Sequence, residues 1–265
     1  MSFSHPDNPI GSIYFSIIIP TLNEEDFLPL LLENLALQTN RSFEVHVADG
    51  GSTDETVQRA KSYEDRLSIH THVSKEGNVA HQRNLAAAYA KGQYLVFLDA
   101  DSRVESDFVE ILEDVVKRRP HGIYITYFHP DSNSWVLRTS YWLMNHFVAL
   151  TRFAPRPLSS VGSVMIERAV FERIRGYDES IYVGEDHNLL RRARQSGATV
   201  HAAHTIRVTF SLRRIRHEGM LRSLYILVFG IGYALFKGDI RRKYFSYDMG
   251  GAQYSGKTTS QKKKQ

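Results

Sequence analysis

The sequence predicts an α/β protein: a mostly parallel sheet with helices on both faces, followed by an amphipathic helical segment near the C-terminus. Three observations predict it. Apolar, β-branched runs of strand length alternate with segments whose leucines or alanines recur at helical spacing, as far as Pro120. The joining loops are short, which suits crossover helices between parallel strands. The strand ends read Pro20-Thr21, Asp49-Gly50-Gly51 and Asp99-Ala100-Asp101, so polar and acidic groups arrive at the edge where such sheets bind ligands.

In order, YFSIIIP (Tyr14 to Pro20) is a strand, and TLNEEDFLPLLLENLALQ a helix with acids near its start, where the helix dipole favours them. FEVHVAD is a second strand ending on Asp49. GGSTDETVQRAKSY supplies two glycines for a tight turn and a Ser/Thr cap for the next helix. RLSIHTHV is a third strand. EGNVAHQRNLAAAYAKG is an alanine-rich helix closed by Gly92, QYLVFL a fourth strand, and SDFVEILEDVVKRR a helix stopped by Pro120. Beyond it, GIYITYF reads as a strand. SWVLRTSYWLMNHFVALTRF is a long aromatic helix that Pro155 and Pro157 end. A strand and short helix follow in SSVGSVMIERAVFERIRGYDES, then a helix after Gly184 that ends at Gly197, and a strand in ATVHAAHTIRVTF.

The 265 residues contain no cysteine, which excludes a disulfide scaffold, a zinc-thiolate site and a thiol nucleophile, and fits the cytosol. The opening MSFSHPDNPIGS has no basic patch followed by a long apolar run, so no signal peptide is expected. The formal charge of +4 is uneven: from Arg213 onward the basic residues include Arg214, Arg216, Arg222, Lys237, Arg241, Arg242, Lys243 and Lys262 to Lys264. This is either a solvated tail or a surface for an anionic partner, lipid headgroups or a phosphate-bearing substrate.

As i and i+2 of a strand, Asp99 and Asp101 would stand side by side and repel unless something positive lies between them. A hard divalent cation such as Mg²⁺ or Mn²⁺ suits two oxygen donors at the end of a parallel strand. The alternative is a helix cap beside a solvated acid.

The stretches SIIIPTLNEE, VADGGSTDET, GNVAHQRNLAAAYAKG, YLVFLDADS and VGEDHNLLRRARQSG, in this order, resemble family 2 glycosyltransferases of the GT-A fold, from about Tyr14 to Val200. The resemblance implies a Rossmann-like sheet and a nucleoside-diphosphate sugar donor held by Pro20, Thr21, Asn23, Glu24, Asp49, Gly50, Gly51, Arg83, Asp99 and Ala100. Asp49 would accept from the base, with a UDP-sugar favoured. Asp101 would ligate Mn²⁺ or Mg²⁺ directly, with Asp99 beside it. Glu185 and Asp186 match the family's acceptor-side acids, Asp186 being the base. In this fold a later histidine often completes the metal shell; His201 and His204 are the candidates, against an ordinary core or surface role for either. His81 stands where the family often has a small residue.

Glycosyl transfer needs these groups. The leaving diphosphate develops negative charge that a divalent ion stabilises, and the acceptor hydroxyl must lose a proton to a carboxylate. Asp186 at a helix N-terminus would be held as the anion; plain helix-start electrostatics is the alternative. The helix reads NLLRRARQSG, without the Gln/Arg-x-x-Arg-Trp pattern of processive relatives, so a non-processive enzyme is expected; a base on the face of the sugar opposite the diphosphate would make it inverting by one displacement. Arg191 and Arg192 would reach a phosphate or lie on a solvated face.

Two motif matches fail. GAQYSGKT (Gly251 to Thr258) spells a P-loop, but too few residues follow to form the helix that holds the phosphates. GIGYAL lacks the last small residue of a dinucleotide fingerprint. The apolar run Leu224 to Phe236, about 20 Å as a helix, is short for a bilayer core and suits an interfacial helix, an oligomer contact or a core-covering helix.

The expected layout is a glycosyltransferase domain over 1–210, with a nucleotide half at about 13–120 and an acceptor half at about 121–210. A basic and apolar helical appendage at 211–248 and a flexible basic tail at 249–265 complete it. The acceptor would be a glycan or a lipid-linked molecule; a membrane surface or a homodimer contact would occupy the appendage, and no nucleic acid is expected. The protein would be cytoplasmic, or peripheral at the cytoplasmic face of a membrane. Rival readings are a polyprenyl-phosphate sugar synthase, a nucleotidyltransferase and a non-catalytic nucleotide-sugar binder.

Overall fold

The computed structural model describes residues 14–74, 78–159 and 163–219, and toward the C-terminus 222, 225, 229–230, 232–233, 238–241 and 250–251. Most of Leu224 to Phe236 and of the basic tail lies outside the described residues.

One sheet organises the chain. Its strands are β1 (Phe15–Thr21), β2 (Phe43–Asp49), β3 (Ile69–Val73), β4 (Tyr94–Leu98), β5 (Ser102–Arg103), β6 (Ile123–Pro130), β7 (Ser163–Glu167) and β8 (Val200–Phe210), in the spatial order β3-β2-β1-β4-β7-β6-β8-β5. The helices are α1 (Leu28–Ala36), α2 (Thr56–Lys61), α3 (Val79–Ala87), α4 (Phe108–Arg118), α5 (Trp135–Leu150), α6 (Arg168–Arg173), α7 (Glu185–Gln195) and α8 (Arg213–Glu218).

The first four long strands pair in parallel, as their crossover helices require. Alternation sends Phe15, Ile17 and Ile19 of β1 to one face, where Leu28, Leu31, Leu32 and Leu35 of α1 and Leu112 of α4 cover them. Ile18 goes to the other face with Ala80 of α3, Phe171 of α6 and Leu189 of α7. Each fully buried leucine contributes about 1.5–3 kcal/mol.

Two strands run against the parallel set. β7 is antiparallel to both β4 and β6, and the two-residue β5 is antiparallel to the end of β8, pairing Ser102 with Phe210 and Arg103 with Thr209. The second pairing has a functional consequence. It lays the residues after β8 beside the turn that follows β4.

Candidate active site

β4 ends at Leu98, so Asp99 to Asp101 form a turn rather than strand. The expectation of two carboxylates side by side on one strand face is corrected accordingly: each has its own arginine. Asp99 Oδ1 meets Arg83 Nη2 at 3.0 Å, and Asp101 Oδ2 meets Arg213 Nε at 2.9 Å.

Arg83 is the hub. It projects from α3, whose N-terminus is capped by Asn78 accepting from the Ala80 and His81 amides, and its side chain is only 2 % exposed. Nη1 lies 3.1 Å from Glu185 Oε1 and 3.0 Å from Asp186 Oδ1, in the first turn of α7. The Tyr177 ring lies against its guanidinium at 5.2 Å, and the Tyr177 hydroxyl donates to Asp186 Oδ1 at 2.9 Å. Burial works against the charge of Arg83, but Asp186, Tyr177, Asp99 and Glu185 hold it protonated well above the ordinary range. Burial and the adjacent Asp186 push Glu185 up, against Arg83. Burial likewise pushes Asp99 up to about 6 against Arg83, with Asp101 and Asp186 adding to the rise, although 40 % of its side chain reaches solvent.

The loops after β1 and β2 are stapled together. Asn23 donates its amide to Ser52 Oγ and accepts from the Thr53 amide through Oδ1, while the Glu24 amide donates to Thr56 Oγ1. Gln82 of α3 reaches the carbonyls of Thr21 and Ala48. Pro20, Thr21, Asp49, Gly50 and Ala100 are buried within this edge; Asn23 is half-buried and Gly51 exposed. Asp49 closes its own turn, accepting the amides of Gly51 and Ser52 on Oδ2 and hydroxyls of Thr21 and Ser52 on Oδ1. Gly51 makes the turn possible at a φ of +90°, a left-handed conformation that side chains disfavour.

In the sequence Arg213 is only the first member of a basic run, yet it forms a second hub. Its two Nη atoms reach Glu24 Oε2 at 2.6 Å and Oε1 at 2.7 Å, and its guanidinium lies 4.3 Å from the Phe27 ring centre. Burial pushes Glu24 up to about 7 against this pairing. Nothing in the residue spacing announces the contact, because it depends on the β5–β8 pairing. Tyr177 leaves as little trace in the sequence: the signal is only a Gly-Tyr seven residues ahead of Gly184, where Gly176 adopts a φ of +66° close to Asn84.

Three expectations change. His201 lies at the start of β8, at the opposite end of the sheet from the β4 turn; its Nε2 donates to the His121 carbonyl and its ring stacks on Tyr124. It is not placed to complete a metal shell beside Asp101. His204, further along β8, meets Tyr127 edge-on. Arg192 is spent on structure, donating to the carbonyls of Ile174 and Gly176, while Arg191 pairs with Asp239. His81, whose role was open, contacts Glu179 at 3.0 Å. Among the described residues no three His, Cys, Asp or Glu side chains are grouped to hold a metal ion by themselves. Among them too, no helix is long and apolar enough to cross a membrane.

The family profile described as glycosyl transferase family 2 matches residues 16–175, from β1 through α6. The chain belongs to that family. Within glycosyl transferase family 2 its matches to curated relatives are local. It is 34 % identical over 97 residues to the poly(ribitol-phosphate) beta-N-acetylglucosaminyltransferase TarS of Staphylococcus aureus, covering 35 % of this chain and 17 % of TarS. It is 43 % identical over 98 residues to a PGL/p-HBAD biosynthesis glycosyltransferase of Mycobacterium bovis, covering 35 % of this chain and 38 % of that protein. Solved structures share the GT-A fold at greater length. The S. aureus TarS fragment 1–349 in complex with UDP superposes with a TM-score of 0.61 at 19 % identity, over 75 % of this chain and 60 % of that one. The mannosyltransferase PcManGT from Pyrobaculum calidifontis, in complex with GDP-Man and Mn²⁺, reaches 0.68 at 19 % identity, over 89 % and 68 %.

Proposed function

We propose that this chain is a metal-dependent, inverting, non-processive glycosyltransferase that moves a sugar from a nucleoside-diphosphate sugar, a UDP-sugar first, to a hydroxyl of a lipid-linked or glycan acceptor. The observation that supports it best is the convergence of Asp99, Glu185 and Asp186 on one buried guanidinium, Arg83, at the C-terminal edge of the parallel strands. It joins a donor-side acid to an acceptor-side pair through a single rigid group.

The donor lies over the turns after β1, β2 and β4, with Pro20, Thr21, Asn23, Glu24, Asp49, Gly50, Gly51 and Ala100 shaping its nucleotide end. The acceptor oxygen attacks the sugar's anomeric carbon from the face opposite the diphosphate. The carbon–oxygen bond to the diphosphate breaks, its electron pair leaves with the phosphate, and Asp186 takes the acceptor's proton. Arg83 and Tyr177 orient Asp186, and Glu185 flanks it. Asp101 and Asp99 offer hard oxygen donors that fit Mn²⁺ or Mg²⁺, which bind through one or two carboxylates while waters and substrate phosphates supply the rest. Bound there, the ion would neutralise charge on the leaving diphosphate.

A lipid-linked acceptor at the cytoplasmic face of a membrane is favoured by α5. It exposes Trp135, Trp142, Leu143, Phe147 and Leu150, beside the exposed Arg138, an apolar and aromatic surface suited to a membrane interface.

The test is transfer from UDP-, GDP- and dTDP-sugars, with and without Mn²⁺, to lipid-linked and to soluble glycan acceptors, comparing wild type with Asp186→Asn. Expected are one productive donor, dependence on metal, preference for the lipid-linked acceptor, and a loss of about 10²–10⁴-fold in kcat for the variant at unchanged donor affinity. Full activity in Asp186→Asn would overturn the base assignment. Transfer unaffected by chelation would overturn the metal.

A further inference from the structure

We propose that Arg213 and the divalent cation are alternative partners of Asp101, and that the diphosphate of the donor decides between them by taking the guanidinium. The inference rests on the metal reading above and adds a residue outside the span that the family profile matches.

The geometry is specific. The β5–β8 pairing sets Phe210 opposite Ser102, which carries Arg213 onto the Asp99–Asp101 turn from the far edge of the sheet. Arg213 then grips two loops at once, Nε on Asp101 Oδ2 at 2.9 Å and both Nη atoms on the Glu24 carboxylate. A second strap lies on the same loop. The Gly251 amide donates to the Leu22 carbonyl at 3.0 Å, and a Cβ on Gly251 would run into the Asn23 backbone carbonyl oxygen and lie 2.6 Å from Glu24 Oε2, so only glycine fits there.

A guanidinium on Asp101 Oδ2 and a metal ion on the same carboxylate compete for its lone pairs and repel each other, so each weakens the other's hold. A cation arriving alone must therefore bind against a two-loop clamp. A nucleoside diphosphate changes the exchange, because its paired phosphate oxygens suit the planar fork of an arginine as a carboxylate does. Arg213 passes from Glu24 and Asp101 to the diphosphate, and Asp101 is released to the cation. Cation and nucleotide then bind with positive coupling, and Arg213 adds to the coupling that the phosphate oxygens give as ligands of the ion.

The test is Mn²⁺ binding to the full chain, followed by the EPR signal of free Mn²⁺, alone and with saturating UDP or GDP. In wild type the nucleotide should tighten Mn²⁺ binding. In Arg213→Gln, Mn²⁺ alone should bind about tenfold tighter, and the nucleotide should tighten it by a smaller factor than in wild type. A misfolded variant would lose affinity rather than gain it, so a gain is diagnostic. Arg213→Lys, which keeps charge but not the fork, should fall between the two. If Arg213→Gln binds Mn²⁺ with wild-type affinity and coupling while Asp101→Asn abolishes binding, the competition is overturned and the metal site stands. If Asp101→Asn binds Mn²⁺ like wild type, the metal assignment fails and the competition with it.

Discussion

Arg83 Nη1 stands 3.0 Å from Asp186 Oδ1, a contact between α3 and α7 made by side chains 103 residues apart. The same guanidinium holds Asp99 through Nη2, so one side chain ties the turn after β4 to the first turn of α7.

Removing that guanidinium should be costly. In Arg83→Met, three carboxylates at the edge lose their shared counter-charge, and breaking a buried pair typically costs about 3–5 kcal/mol. Urea unfolding should show a loss in that range, and Arg83→Lys should recover little, because a point ammonium cannot fork between Asp99 and Asp186. A loss well under about 1 kcal/mol would mean that the carboxylates relax into solvent.

Tyr177→Phe isolates one hydrogen bond. It keeps the ring against Arg83 and removes only the hydroxyl that donates to Asp186. Such a bond contributes about 0.5–1.5 kcal/mol, so kcat should fall several-fold to about tenfold with donor KM unchanged. An equal rise in donor KM would place Tyr177 in donor binding instead.

The pH dependence of stability follows from Glu24. Its carboxyl titrates near 4.5 when unperturbed and is pushed up to about 7 in the fold by burial, so the folded chain binds the proton more tightly. The contribution is fully present below about pH 4.5 and is lost as pH rises through about 7. Asp99, raised to about 6, acts in the same direction, less strongly because solvent reaches it. Glu24→Gln should therefore lose less stability than wild type between these limits, read as melting temperature against pH. Parallel curves for the two proteins would refute the shift.

Much of the candidate site was legible in the sequence because its parts are local. Asp49, Asp99 and the Glu185-Asp186 pair each sit at the end of an element whose type follows from neighbouring residues. A parallel sheet sends all its strand ends to one edge whatever the detail. Arg83 was legible as basic and helical, but not as the link between the turn after β4 and the first turn of α7. His201 illustrates the opposite failure: its residue type suited a metal shell, while its place at the start of β8 put it at the wrong end of the sheet.

The sequence by itself determined the order of elements, the parallel half of the sheet and the edge that carries the acids, because hydrophobic period and turn chemistry act over a few residues. Only the tertiary structure decided what neutralises those acids. The antiparallel returns of β7 and β5, the reach of Arg83 from α3 and the arrival of Arg213 from beyond β8 all depend on strand pairings between residues far apart in the chain. Such pairings arise from how whole elements close over a common core, and they leave no periodic trace in the residues that make them.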